Sequence, residues 1–141
     1  IPASAPPTEF SAERAMEHVR EIAQRPHPAG SPEHRRVAQY VMAELSRMGL
    51  GPELQQTTGV GTRYPSAGRV ANVLIHLPGT DSSRLRRQVL LMAHYDSVPA
   101  APGAGDNGAA VVALLEVARR LLERLSMHYQ QMRKLPGVSM N

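Results

Sequence analysis

The stretch from Val89 to Leu125 constrains the fold more than any other part of this 141-residue chain. Val89 to Ala93 is apolar without alternation, which is how a strand buried on both faces reads. It runs into His94, Tyr95, Asp96 and Ser97. A Pro/Ala/Gly-rich loop follows and ends in Gly103-Ala104-Gly105-Asp106-Asn107-Gly108. The segment beyond begins with small apolar residues and becomes amphipathic, with a stripe of Leu114, Val117, Ala118, Leu121, Leu122 and Leu125 at helical spacing. A buried strand, a loop with charged residues and a helix packing back on the sheet predict an α/β fold. In open sheets of that class, chemistry gathers beyond the carboxyl ends of the strands, where His94, Asp96 and Asp106 fall.

Imidazole and carboxylate are both zinc ligands. His94 and Asp96 flank one residue, and positions i and i+2 of an extended segment share a face. Asp96 is thus placed to touch His94 or the same metal; a carboxylate on a ligating His fixes its tautomer and raises its basicity. Asp106 lies in a Gly-rich loop that permits close backbone approach and positive φ. Blander readings fit the same residues. His94 also reads as a hydrogen-bonded strand-end His, Asp106 as a plain helix N-cap, and Asp96-Ser97 as turn chemistry.

The full string resembles the zinc aminopeptidase family that includes bacterial leucyl aminopeptidases, plasma glutamate carboxypeptidase and the endoplasmic-reticulum metallopeptidases. Three elements recur in order: His94-Tyr95-Asp96-Ser97, then Gly103 to Gly108, then Leu114-Leu115-Glu116-Val117-Ala118-Arg119. Ala109-Ala110 departs mildly, since the family often has a small residue and Gly there. The resemblance implies that His94 ligates one zinc, that Asp106 bridges two, and that Asp96 is the catalytic-site residue orienting His94. It also implies a cis peptide after Asp106, and removal of N-terminal residues from peptide substrates. The implied architecture is a three-layer α/β/α domain with a mixed sheet, zinc-exopeptidase-like and incomplete on its C-terminal side. After Glu123 the chain has no acidic residue, whereas the family next shows a Glu-Glu pair, an Asp and a His. These would supply the general base and the remaining ligands. The expectation is therefore a truncated piece that is inactive alone. Rival readings on the same fold are a non-catalytic binding module and a one-zinc hydrolase or cyclase.

Reading from the start, residues 1–10 are Pro/Ala-rich and predict a flexible lead-in. Residues 11–125 form the catalytic-domain piece, and 126–141 read as a divergent tail. Ser11 caps a helix from Ala12 to Gln24 that stops before Pro26. Ser31 and Pro32 open a second helix running to Met48, closed by Gly49. His27, in the His27-Pro28-Ala29-Gly30-Ser31 connector, is chemically able to ligate, yet the family uses no ligand there, so a structural role is expected. Glu53 to Val60 predicts a polar edge strand, and Arg69 to Leu77 a stronger one containing His76. Thr80 to Arg87 reads as a polar surface loop. Glu116–Arg120 and Arg119–Glu123 are candidate ion pairs at helical spacing. His128 receives no role.

Composition narrows the partners. The formal charge is +4, aromatic content is 4% and Trp is absent. Basic residues are scattered apart from Arg84-Leu85-Arg86-Arg87, which argues against nucleic acid. There is no cysteine, so neither disulfides nor thiolate metal sites are available. No apolar run approaches the ~18 residues of a membrane span. Because the chain starts at Ile1, an extracytoplasmic or membrane-anchored setting through an upstream segment is left open.

Overall fold

A computed structural model describes residues 1–62, 66–79 and 88–133. Helix α1 spans Ala12–Ile22. Ser11 caps it, its Oγ accepting from the Arg14 amide at 3.3 Å. Ala15, Val19 and Ile22 recur every three to four residues and turn inward. Helix α2 spans Pro32–Arg47. Ser31 Oγ accepts from the His34 amide at 3.0 Å, and such a cap contributes ~1 kcal/mol. Gly49 takes a left-handed φ of 81°, and Leu50 donates back to the Leu45 carbonyl at 3.1 Å. That closure satisfies carbonyls the helix leaves open.

Strands β1 (Glu53–Gly61) and β2 (Ser66–Leu74) pair antiparallel, with Glu53 opposite Leu74 and Gly61 opposite Ser66. The stronger strand was expected at 69–77. Its end is set by its partner: β1 starts at Glu53 behind Pro52, which has no N–H to extend the ladder. His76 therefore lies past the strand, exposed.

Helix α3 spans Ala109–Arg133, so the helix runs two turns beyond Leu125 into the segment read as a tail. Its buried apolar residues are Val111, Val112, Leu115 and Ala118. The sequence stripe of Leu114, Val117 and Leu121 is thus off by one position; of it, Ala118 is fully buried and Leu121 is exposed. Two adjacent stripes are both apolar here, and Glu116 on the buried side disguised the real one. Glu116 turns inward to Arg119 and Arg14 rather than outward to Arg120.

The core is formed where α1, α2 and α3 meet, with Val73, Ile75, Ala93 and Tyr95 packed against it. Helix α1 lies against α3, and α2 against β2. Val89 to Ala93 does not form the doubly buried strand expected of it. The segment enters no ladder among the described residues, and Val89, Leu90, Leu91 and Met92 are exposed. A doubly buried strand needs a paired neighbour on each side and a layer over each face. The described residues supply only β1, β2 and one set of helices. The sheet seen is accordingly an antiparallel pair, one part of the α/β architecture.

Residues 1–10 contact two helices. Arg14 donates to the carbonyls of Ala3, Ala5 and Glu9, and Arg119 to those of Pro7 and Glu9. Thr80 to Arg87 and residues 134–141 lie outside the described residues.

Candidate metal centre

Gly103 opens a wide helical turn, Ala104–Gly108, that leads into α3. Its φ is 69°, and a Cβ added there would sit 2.8 Å from Ser97 Cβ and 2.9 Å from the Asp106 carbonyl. Only glycine fits both the angle and the approach. The Gly108 amide donates to the Gly103 carbonyl at 2.9 Å, closing the turn. Asp106 and Asn107 inside it are non-helical, and the Asp106-Asn107 peptide is cis, as the family resemblance implies. The Asp106 carboxylate meets the His94 ring rather than a helix N–H, and the turn presents it outward.

On the other side, the segment after Ala93 brings His94 to meet it. His94 Nε2 lies 3.1 Å from Asp106 Oδ1. His94 Nδ1 lies 3.2 Å from the Asp96 main-chain oxygen and 3.4 Å from Asp96 Oδ1. The three residues border one open cleft of about 500 Å³, together with Ser97, Pro102 and Gly105. One imidazole is thus flanked by two carboxylates, each facing a different ring nitrogen. The Asp106 side chain is 91% exposed and His94 half exposed, so both present their donors to the cleft.

Between them, Tyr95 turns the opposite way. Its hydroxyl donates to the Ala71 carbonyl of β2 at 2.7 Å. Its ring stacks on His34, centroids 4.5 Å apart and planes 9° apart. Burial pushes the Tyr95 hydroxyl pKa up, with Asp96 adding to it. Burial lowers the His34 pKa, against an opposing pull from Asp96. His34 was not singled out in the sequence, because nothing local marks a helix His as the partner of a residue 61 positions away.

His27 is buried at 1% exposure. Its Nδ1 is 2.8 Å from the Arg25 carbonyl, and its main chain bonds Ser97. It does not reach the cleft, in keeping with a structural role. His18 is likewise engaged elsewhere, its Nδ1 2.6 Å from the Tyr40 hydroxyl. Among the described residues, no group of three or more His, Cys, Asp or Glu is arranged so that all could hold one metal ion. Imidazole and carboxylate, the groups that His94 and Asp106 offer, are of the kind that zinc takes.

Residues 72–134 match the model of peptidase family M28. The chain is similar to a vacuolar membrane protease of Schizosaccharomyces japonicus, 35% identical over 121 residues, covering 78% of this chain and 14% of that protein. It is similar to a vacuolar membrane protease of Coprinopsis cinerea at 32% identity, covering 79% of this chain and 12% of that protein. Among solved structures, a Zn-dependent exopeptidase from Parabacteroides distasonis superposes with a TM-score of 0.67 at 25% identity, over 92% of this chain and 44% of the other. A glutaminyl cyclase from Porphyromonas gingivalis gives 0.65 at 29% identity, over 81% and 40%. The chain thus has the fold shared by these zinc exopeptidases and glutaminyl cyclases, and spans under half of the neighbours' length. The mild departure at Ala109-Ala110 leaves the match intact, and His94, Asp96 and Asp106 all lie within the residues that match peptidase family M28.

Proposed function

We propose that this chain is the first part of a zinc-dependent aminopeptidase domain, with His94 and Asp106 as metal ligands and Asp96 as the group that orients His94. The observation that carries the reading is the convergence of His94 Nε2 and Asp106 Oδ1 at 3.1 Å on an open cleft. These two residues would hold zinc from opposite sides of the cleft, Asp106 shared between two ions. Bound zinc polarises a peptide carbonyl and lowers the pKa of water. This chain's own residues set the frame for that chemistry. Asp96, on the Nδ1 side of His94, keeps the ring aimed and its Nε2 lone pair toward the cleft. The Gly103–Gly108 turn fixes the Asp106 carboxylate. The cleft, open to solvent, admits the end of a peptide. His94 and Asp106 make up only part of the ligand set that the family resemblance implies, and this chain supplies that part. The curated relatives' names support membrane association; among the described residues no helix is long and apolar enough to cross a membrane.

A second reading, a cyclase acting on N-terminal glutamine, is favoured by the glutaminyl cyclase likeness. The protease names of the curated relatives weigh against it.

The test uses the natural protein carrying this segment. Zinc content and turnover are measured on aminoacyl-nitroanilides and on glutaminyl peptides. Asp106→Ala is expected to lose metal and all turnover, whereas Asp96→Ala retains metal and loses ~10–100-fold. Equal loss with metal kept in both variants refutes the assigned roles. Cyclisation of glutaminyl peptides without aminoacyl release selects the second reading.

A further inference from the structure

The geometry points to Tyr95 as a positioning residue for His94 and Asp96, clamped between the stacked His34 ring of α2 and the Ala71 carbonyl of β2. The inference rests on the proposed reading of His94 and Asp96 as metal-site groups.

The segment that carries the site residues has no ladder of its own: residues 88–98 pair with no strand among the described residues. Something else must set its register. Tyr95 lies between His94 and Asp96 and points the other way, as alternate residues of an extended segment do. It is gripped at both ends. The hydroxyl donates to Ala71 at 2.7 Å. The ring lies nearly parallel to His34 at 4.5 Å. His34 is itself fixed, buried in α2 with its amide held by Ser31 Oγ at 3.0 Å. A ring held on one face and at its tip loses the stack if it turns about its own axis, and loses both contacts if its χ1 changes. The backbone that carries it, and hence the directions of His94 and Asp96, follows. Ser97, bonded to His27, anchors the next position. Tyr95 therefore fixes the two cleft residues from behind, without reaching the cleft; the residues bordering the cleft do not include it.

The test reads the His94 ring directly, by nitrogen and carbon correlation spectra of the metal-free chain at one fixed pH. The His18 ring of α1, bonded to Tyr40 six residues along α2 from His34, serves as the fold control. Zinc calorimetry follows on the same samples. Tyr95→Leu and His34→Ala are expected to shift or broaden the His94 signals while leaving His18 in place, and to weaken zinc binding ~10–100-fold, the usual effect of losing support behind a ligand. His34→Phe keeps a flat ring beneath Tyr95 and is expected to restore both. Tyr95→Phe keeps the stack and loses the Ala71 bond, giving a smaller shift. Unchanged His94 signals in both Tyr95→Leu and His34→Ala overturn the proposal. So does an equal perturbation by His34→Ala and His34→Phe, since the stack would then be irrelevant. If Tyr95→Leu also loses the His18 signals, the two His34 variants decide. A wild-type chain that takes up no zinc counts against the metal reading, while the ring spectra still decide the role of Tyr95.

Discussion

Ser97 and His27 are bonded to each other twice. The Ser97 amide donates to the His27 carbonyl at 3.2 Å, and Ser97 Oγ accepts from the His27 amide at 2.8 Å. Both residues are buried. The pair ties the connector between α1 and α2 to the residue that follows the His94-Tyr95-Asp96 run. It joins two short strings that lie 70 positions apart in the sequence.

Ser97→Ala removes the acceptor and leaves the His27 amide buried without a partner. A stranded buried donor costs ~1–3 kcal/mol. Urea unfolding should show that loss, with Ser97→Thr, which keeps the hydroxyl, falling between. A stability unchanged in Ser97→Ala would mean that water replaces the bond.

Gly103→Ala should be far more damaging than Gly105→Ala. An alanine at 103 must adopt φ near 69° and sits 2.8 Å from Ser97 Cβ, whereas nothing lies within 4 Å of a Cβ at 105. The left-handed backbone alone costs ~1–3 kcal/mol for a non-glycine residue, and the clash displaces the Asp106 turn. Thermal unfolding separates the two variants. Equal midpoints would show that the turn relaxes freely.

Much of this was legible in the sequence. The caps Ser11 and Ser31 and the glycine closing α2 placed two helices to within two residues at their ends. The spacing of His94, Asp96 and Asp106 brought those three residues to one cleft. What was hidden depended on long-range partners. Val89 to Ala93 has the composition of a doubly buried strand, yet burial requires neighbours that the described residues do not supply. The face of α3 was misjudged by one position because two apolar stripes compete, and only the fold shows Glu116 turned inward. The contacts of the Pro/Ala-rich lead-in were hidden in the same way, since Arg14 and Arg119, which take its carbonyls, sit on two different helices.

That inward Glu116 makes stability depend on acid. It is 1% exposed, accepts from the Ser11 amide at 2.8 Å and from Arg119 at 2.8 and 3.1 Å, and faces Arg14. Burial alone would raise its pKa, but the Arg119 bonds, the Ser11 amide and Arg14 outweigh it and hold the carboxyl below its ordinary 4.5. A carboxylate with a lowered folded-state pKa adds stability above the unfolded value. That contribution is lost as pH falls through the folded value. Glu116→Gln should therefore cost about 2 kcal/mol at neutral pH, from the lost charged hydrogen bonds, and progressively less below pH 4.5. Denaturant curves from neutral to about pH 3 check this. A gap between wild type and variant that stays constant across that range would contradict it.

The exposed run before the site sets the behaviour of the isolated chain. Val89 is 85% exposed, Leu90 78% and Met92 81%, whereas Ala93 packs against the core. Adjacent apolar side chains beside an unpaired backbone invite pairing with another chain. The double substitution Leu90→Lys and Met92→Lys should suppress concentration-dependent association, read by light scattering. Because both positions face solvent, it should move unfolding stability by no more than about 0.5 kcal/mol. Ala93→Lys should instead destabilise, since it drives a charge toward packed apolar groups. A double variant that loses as much stability as Ala93→Lys would show that Leu90 and Met92 are buried in solution. Association that persists undiminished in a stably folded double variant would show that a different surface drives it.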